Sequence, residues 1–249
     1  LVKSPDDYIL AAFLQACAPL IAGIFSIIWL RKRYTGLFKW PTIGEIINSY
    51  KEGWSIFVSS LAVNLYTATN IVVLGMLTNN VIVGYYSAAD KLITCVRRGI
   101  YAVSDAIYPF ISKMMKDDIS KGLQFIKKQI FLYLVVGLIG CTSLFFFSDT
   151  IVKLLFGADY NLTVDVLRIL SFVPLAVAIS TVFGEETMLP LNMNSAYSRT
   201  LVLAAFFSLL SIFPLCYLWG AKGVAMTMLL TEFLIMIIMG GLLRKQLFQ

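Results

Sequence analysis

Residues 82–112 read IVGYYSAADKLITCVRRGIYAVSDAIYPFIS, and the architecture turns on whether this stretch crosses a membrane. It carries five charges, Asp90, Lys91, Arg97, Arg98 and Asp105, which hide it from a simple hydropathy scan. Wound at about 100° per residue, those charges fall within an arc of about 120°. Ser87, Thr94, Tyr101 and Tyr108 share the arc, while Ala88, Ala89, Leu92, Val96, Ile100, Val103, Ile107 and Phe110 take the other side. The pattern is an amphipathic helix longer than the roughly 20 residues a bilayer crossing needs.

The flanking sequence identifies the solvent. Hydrophobic residues make up 59% of the chain and charged residues 14%, with a mean hydropathy of +0.83. Ordinary soluble domains have about 45–50% apolar and about 25% charged residues. A chain of 249 residues cannot hide that much apolar surface in one core, so lipid must solvate most of it. The expected fold is all-α, a polytopic transmembrane helix bundle of about seven spans, near 9–30, 54–78, 82–112, 124–147, 162–184, 198–218 and 222–243. Residues 148–161, SDTIVKLLFGADYN, are too short to cross and read as a short interfacial helix. Glu185, Glu186, Pro190, Asn192 and Asn194 read as a polar hairpin between spans, and Pro174 and Pro214 as kinks within them.

Lysine and arginine set the expected orientation. Arg31, Lys32, Arg33, Lys39 and Lys51 follow the first span, Lys113, Lys116, Lys121, Lys127 and Lys128 follow the third, and Arg244 and Lys245 follow the last. Seven crossings place these clusters and the C-terminus in the cytoplasm. The net charge of +6 is therefore a matter of topology, and no nucleic-acid partner is expected.

Placing an Asp, Lys or Arg at mid-membrane costs about 2.5–3.5 kcal/mol on insertion scales. The stripe should therefore face protein or a water-filled cavity. One reading is structural, with Asp90–Arg97 and Arg98–Asp105 pairs that orient the helix. The other is a lumen lining, favoured by the net positive charge and by the hydroxyls of Thr94, Tyr101 and Tyr108. Asn64 and Thr67, with Ser60 and Thr78, form a polar side on 54–78 that suits either a lumen or interhelical hydrogen bonding. Glu232, near the middle of the last span, is a candidate for proton or cation coupling beside a structural reading. Asp165 and Arg168, one turn apart, read as a structural pair.

Much chemistry is excluded. The chain has no histidine, and Cys17, Cys95, Cys141 and Cys216 stand singly in apolar segments as expected free thiols. No Walker-type phosphate loop, nucleophile–base arrangement or cofactor motif is present. Asp117 and Asp118, in a basic loop, read as solvated charges. Neither enzyme activity nor a cofactor is expected.

Five stretches, in order, resemble one family: IVVLGMLTNNVIVGYYSAADKL at 71–92, AIYPFISKM at 106–114, LLFGADY at 154–160, VLRILSFVPLAVAI at 166–179 and GAKGVAMTMLLTEFLI at 220–235. They are similar to the polysaccharide-transporter branch of the MATE-like flippases, above all the O-antigen flippases. The resemblance implies a two-lobed transporter around a central cavity. Residues 1–53 would supply the last span of a first lobe plus a basic linker, and 54–249 a second, six-helix lobe. The chain, opening on Leu1, thus resembles the later part of a longer protein. The resemblance further implies transfer of undecaprenyl-diphosphate-linked oligosaccharide across the bacterial inner membrane, with the diphosphate near Lys91, Arg97 and Arg98. Membrane lipid, an O-antigen polymerase and a chain-length regulator are the partners it suggests. The competing functions are a cation-coupled multidrug or metabolite antiporter and a non-transporting scaffold of a polysaccharide assembly complex.

Overall fold

The computed structural model describes residues 8–33, 41–157 and 159–247. Among these residues every regular element is helical. The helices are α1 (Tyr8–Arg33), α2 (Ile43–Leu77), α3 (Asn80–Asp117), α4 (Ile119–Phe156), α5 (Asn161–Leu170), α6 (Val173–Phe183), α7 (Asn194–Trp219) and α8 (Ala221–Leu247), with a π-helical turn at Gly184–Met188 after α6. The chain divides into two compact units, Leu1–Tyr50 and Lys51–Gln249.

In the first unit, α1 ends on Arg31, Lys32 and Arg33, cations that suit the negative end of a helix dipole. Arg33 lies 5.0 Å from the Trp29 ring centre. The start of α2 is a capping box. The Thr42 amide donates to Glu45 Oε2 at 2.7 Å, and the Glu45 amide donates back to Thr42 Oγ1 at 3.4 Å. Those bonds from Thr42 hold the Glu45 carboxyl below its ordinary range.

The second unit is a bundle around the broken span formed by α5 and α6. Residues 173–179, VPLAVAI, are apolar all round, and a helix of that kind belongs inside. Val173, Ala176 and Val177 are fully or almost fully buried. Pro174 sits in the first turn of α6, where its missing N–H costs nothing, so the span is broken into two short helices at Ser171–Phe172. α4 is the converse. Phe131, Ile139 and Phe146 are 71%, 65% and 72% exposed, the surface a helix presents to lipid.

Among the described residues five segments are long and apolar enough to cross a membrane: Gly53–Leu77, Ile119–Phe156, Asn161–Met188, Asn194–Trp219 and Ala221–Arg244. α3 is 38 residues long and carries the charged stripe, and it is not among those segments. The span expected near 9–30 coincides with α1.

Three expectations need correction, and a fourth gains a role. Residues 148–156 are not a separate interfacial helix but the last turns of α4, which stops only where Gly157 takes a φ of 99°. Ser148 and Val152 of that stretch are fully buried, so packing carries the helix onward. Glu185 and Glu186 do not stand in a polar loop. The π turn extends the span past Phe183, closed by the Leu189 amide donating to the Gly184 carbonyl at 3.1 Å. Asp165 pairs with Lys222 at 2.7 Å, while Arg168 donates from Nε to Ser148 Oγ at 3.1 Å, so these two residues serve different neighbours. Asp118 is solvent-exposed and in addition serves as the N-cap of α4, accepting from the Ser120 and Lys121 amides at 2.9 and 3.3 Å.

α7 and α8 form an antiparallel hairpin. Ile212 and Cys216 share a buried cluster with Ala221 and Val224, and Leu201 and Ala204 share another with Ile235 and Met239. The turn requires Gly220 at a φ of 54°, and any Cβ on Gly223 would collide with the Leu215 carbonyl. Backbones packed this closely are how membrane helices gain contact where lipid removes the hydrophobic drive.

Candidate functional site

The polar residues of α2 and α3 open onto a cavity of about 670 Å³ in the second unit. α2 contributes Ser59, Ser60 and Asn64, the last two four residues apart and so on one face of the helix. α3 contributes Tyr101, Ser104, Asp105 and Tyr108, and Glu185 and Tyr197 close the far side. The two charged residues among these are both carboxylates, Asp105 and Glu185. Ser59, Ser60 and Asn64 offer hydrogen-bonding groups, and three tyrosines offer rings with hydroxyls. Such a lining suits a molecule rich in hydroxyls or carrying positive charge.

Beneath the cavity lies an ion pair. Arg97 Nη2 is 3.4 Å from Glu232 Oε1, with side chains 11% and 4% exposed. The Tyr66 hydroxyl donates to the same Glu232 oxygen at 3.1 Å, and Arg97 Nη2 reaches the Tyr101 hydroxyl at 3.5 Å. A small cavity of about 50 Å³ joins Glu232 to Glu185, Tyr101 and Tyr197. Tyr101 therefore borders both the ion pair and the larger space.

The stripe on α3 accordingly divides. Arg97 is buried and committed to Glu232, and neither the Asp90–Arg97 nor the Arg98–Asp105 ion pair of the structural reading is present among the described residues. The reason is geometric. α8 packs on the Arg97 edge of the stripe and supplies a carboxylate at closer range than residues seven positions away on α3. Lys91 and Arg98 are exposed, Asp90 is partly buried, and none of the three lines the cavity. Asn64, Tyr101 and Asp105 do line it. Thr67 is half-buried, and its hydroxyl donates to the Val63 carbonyl at 2.8 Å. Glu232, the ion-coupling candidate, is the partner of Arg97.

Residues missed in the sequence are those whose partners come from other elements. Glu186 is fully buried and accepts from Ser104 Oγ at 2.6 Å. Glu185, Tyr197 and Tyr66 carry no periodic signal either. The available clue was GEET at 184–187, two carboxylates separated from an apolar helix by a single glycine. Among the described residues no group of three or more acidic, cysteine or histidine side chains is placed to hold a metal ion.

Part of the chain matches a known family model, and most of it is similar to part of three known proteins. Residues 1–115 match the family described as "Polysaccharide biosynthesis protein". Proteins provisionally named as O-antigen transporters are similar along nearly the whole chain. The one from Shigella dysenteriae is 31% identical over 96% of this chain and 60% of its own length. The one from Escherichia coli K12 is 31% identical over 94% of this chain and 56% of its own length. A capsular polysaccharide biosynthesis protein of Staphylococcus aureus is 27% identical over 72% of the chain and 45% of its own length. The chain thus spans little more than half the length of the first two relatives. No solved structure matches it significantly. The first 115 residues thus resemble the polysaccharide biosynthesis protein family, and nearly the whole chain, an all-helical membrane protein, is similar to part of proteins provisionally named as O-antigen transporters.

Proposed function

We propose that this chain forms one lobe, plus the preceding span, of a flippase that carries undecaprenyl-diphosphate-linked oligosaccharide across the bacterial inner membrane. The supporting observation is a polar cavity of about 670 Å³ inside a bundle otherwise built for lipid. In this reading the glycan occupies the cavity against Asn64, Tyr101 and Asp105. Lys91 and Arg98, the exposed cations of the α3 stripe, hold the diphosphate, and the prenyl tail stays in lipid. Arg97 and Glu232 position α3 against α8 and do not bind substrate. Asp90 and Thr67 border the passage without lining the cavity. Seven crossings, with α1 and α3 both spanning, put the basic clusters and the C-terminus in the cytoplasm. The division at 53/54 separates the linker from the lobe. A polymerase and a chain-length regulator are the partners this activity would meet.

The test is complementation by the full-length transporter in a strain lacking its own flippase. Lys91→Ala with Arg98→Ala should abolish surface polysaccharide at unchanged membrane abundance. Undiminished display would overturn the diphosphate assignment.

A second reading is favoured by one observation, the acidic lining of the cavity. Asp105 and Glu185 suit an organic cation, the substrate of a cation-coupled antiporter. Asp105→Asn would then abolish cation efflux while leaving polysaccharide display intact.

A further inference from the structure

The polar groups around the large cavity fall into two sets, those the fold holds and those it leaves open. Ser104 donates to Glu186 at 2.6 Å, Ser59 to the Ser55 carbonyl at 2.8 Å, and Asn64 Nδ2 to the Ser60 carbonyl at 2.9 Å. The Tyr101 hydroxyl accepts from Arg97 at 3.5 Å. Asp105 and Glu185 belong to the other set. Both line the cavity, Asp105 exposed and Glu185 half-buried, and they stand within electrostatic reach of each other. Among the described residues neither side chain has a hydrogen bond or an ion pair.

The chemistry of this lining is one-sided. A carboxylate accepts hydrogen bonds at about four sites and donates none, so hydroxyl and ammonium groups are its partners. Tyr108 and Tyr197 add hydroxyls on rings whose faces suit the apolar side of a pyranose. At about 670 Å³ the space is within the roughly 300–1,000 Å³ of ordinary small-molecule sites. What it lacks is a cation. Among the described residues no lysine or arginine lines it, and Arg97, behind Tyr101, is committed to Glu232. A sugar acid would therefore carry a negative charge into a membrane interior that offers it no counter-charge, which is costly. An amino sugar brings N–H donors instead, and a neutral sugar brings hydroxyls.

We propose that this cavity sorts glycans by charge, admitting neutral and amino sugars and excluding sugar acids, with Asp105 and Glu185 as the specificity-determining residues. The inference rests on the flippase reading and adds a sugar class to it. Labour is then divided along α3. Lys91 and Arg98, outside the cavity, meet the anionic part of the substrate, while Asp105 meets the glycan within it. Selection of this kind works by rejection as much as by attraction, because the wrong sugar is left with an unpaired charge.

Calorimetric binding of soluble probes to the full-length transporter in phosphatidylcholine nanodiscs tests this, since that lipid adds no net charge. The probes are the neutral N-acetylglucosamine trimer, its deacetylated amino form, trigalacturonate, and tetramethylammonium as a cation without hydroxyls. The wild type should bind the amino and neutral trimers at least about tenfold more tightly than trigalacturonate, the scale of one hydrogen bond to a charged group. Asp105→Asn with Glu185→Gln should erase most of that difference, weakening the amino trimer and strengthening the acid. Asp105→Asn alone, at an exposed position, serves if the double variant fails to fold. Trigalacturonate bound as tightly as the neutral trimer, tetramethylammonium bound more tightly than the amino trimer, no binding of any trimer, or a ranking unmoved by the variants would each overturn the assignment. These outcomes are read without transport, so they are distinct from the display result that decides the flippase reading.

Discussion

Arg97 on α3 and Glu232 on α8, 135 residues apart in sequence, meet 3.4 Å apart inside the bundle, with Tyr66 bonded to the same carboxylate. The pair takes the most buried cation out of the charged stripe and uses it to bind two helices together. Removing one partner leaves an uncompensated charge, which costs about 3–5 kcal/mol in a buried pair. Arg97→Ala and Glu232→Ala should each lower thermal stability in nanodiscs by that order. The double variant Arg97→Met, Glu232→Met should recover most of the loss. Additive losses in the double variant would show that the two side chains do not act as a pair.

Lys91 and Arg98 should behave differently from Arg97. Both are exposed, so alanine at either position should change stability by no more than about 0.5 kcal/mol. Their effect should appear in polysaccharide display, whereas Arg97→Ala should first reduce the amount of folded protein. Parallel measurement of membrane abundance and surface polysaccharide separates the two behaviours.

The α7–α8 turn leaves no room at Gly223. Gly223→Ala must displace the Leu215 carbonyl and should destabilise the chain by about 1–3 kcal/mol, as overpacking does. Gly241→Ala, where no atom lies within 4 Å of the added methyl, is the control and should be neutral or better. Equal melting temperatures for the two variants would contradict the close packing of the hairpin.

Acid should loosen the start of α4 before the rest of the helix. The Ser120 hydroxyl and the Lys121 amide donate to Asp118 and hold its carboxyl below the ordinary carboxylate range. A carboxyl lowered by folding contributes stability that is fully present above its unfolded value, about 3.9, and is lost as pH falls through the folded value. Amide exchange at Ser120 and Lys121 should therefore accelerate relative to mid-helix amides on acidification. In Asp118→Ala it should be fast already at neutral pH. Exchange that does not depend on pH would remove Asp118 from the capping role.

Much of the fold was legible because membrane helices announce themselves locally. Ile119–Phe156 and Ala221–Arg244 are apolar over their own length, and lipid requires each backbone to satisfy itself within the helix. The amphipathic arc of α3 was legible from its period alone. The ends of elements were harder to read. Residues 148–156 look amphipathic and separate, yet Ser148 and Val152 pack inward and keep α4 continuous. Glu185 and Glu186 look like loop residues because acidic pairs usually are. Ser104 and Gln129, on two other helices, are what make a buried position tenable for Glu186.

The α3 stripe shows where sequence and tertiary structure divide. Sequence by itself determined that its five charges share one face, since that depends only on the helical period. The cost of a charge in hydrocarbon gave a reason to expect that face to be turned from lipid, and of the five charges Asp105 lines the cavity while Arg97 is buried against Glu232. Which charge is a strut and which is free was decided by tertiary structure alone. Arg97 is a strut because α8 brings Glu232 to it, while Lys91 and Arg98 meet no such carboxylate among the described residues. Pairing across helices rests on packing between distant segments, and no local period encodes which segments will meet.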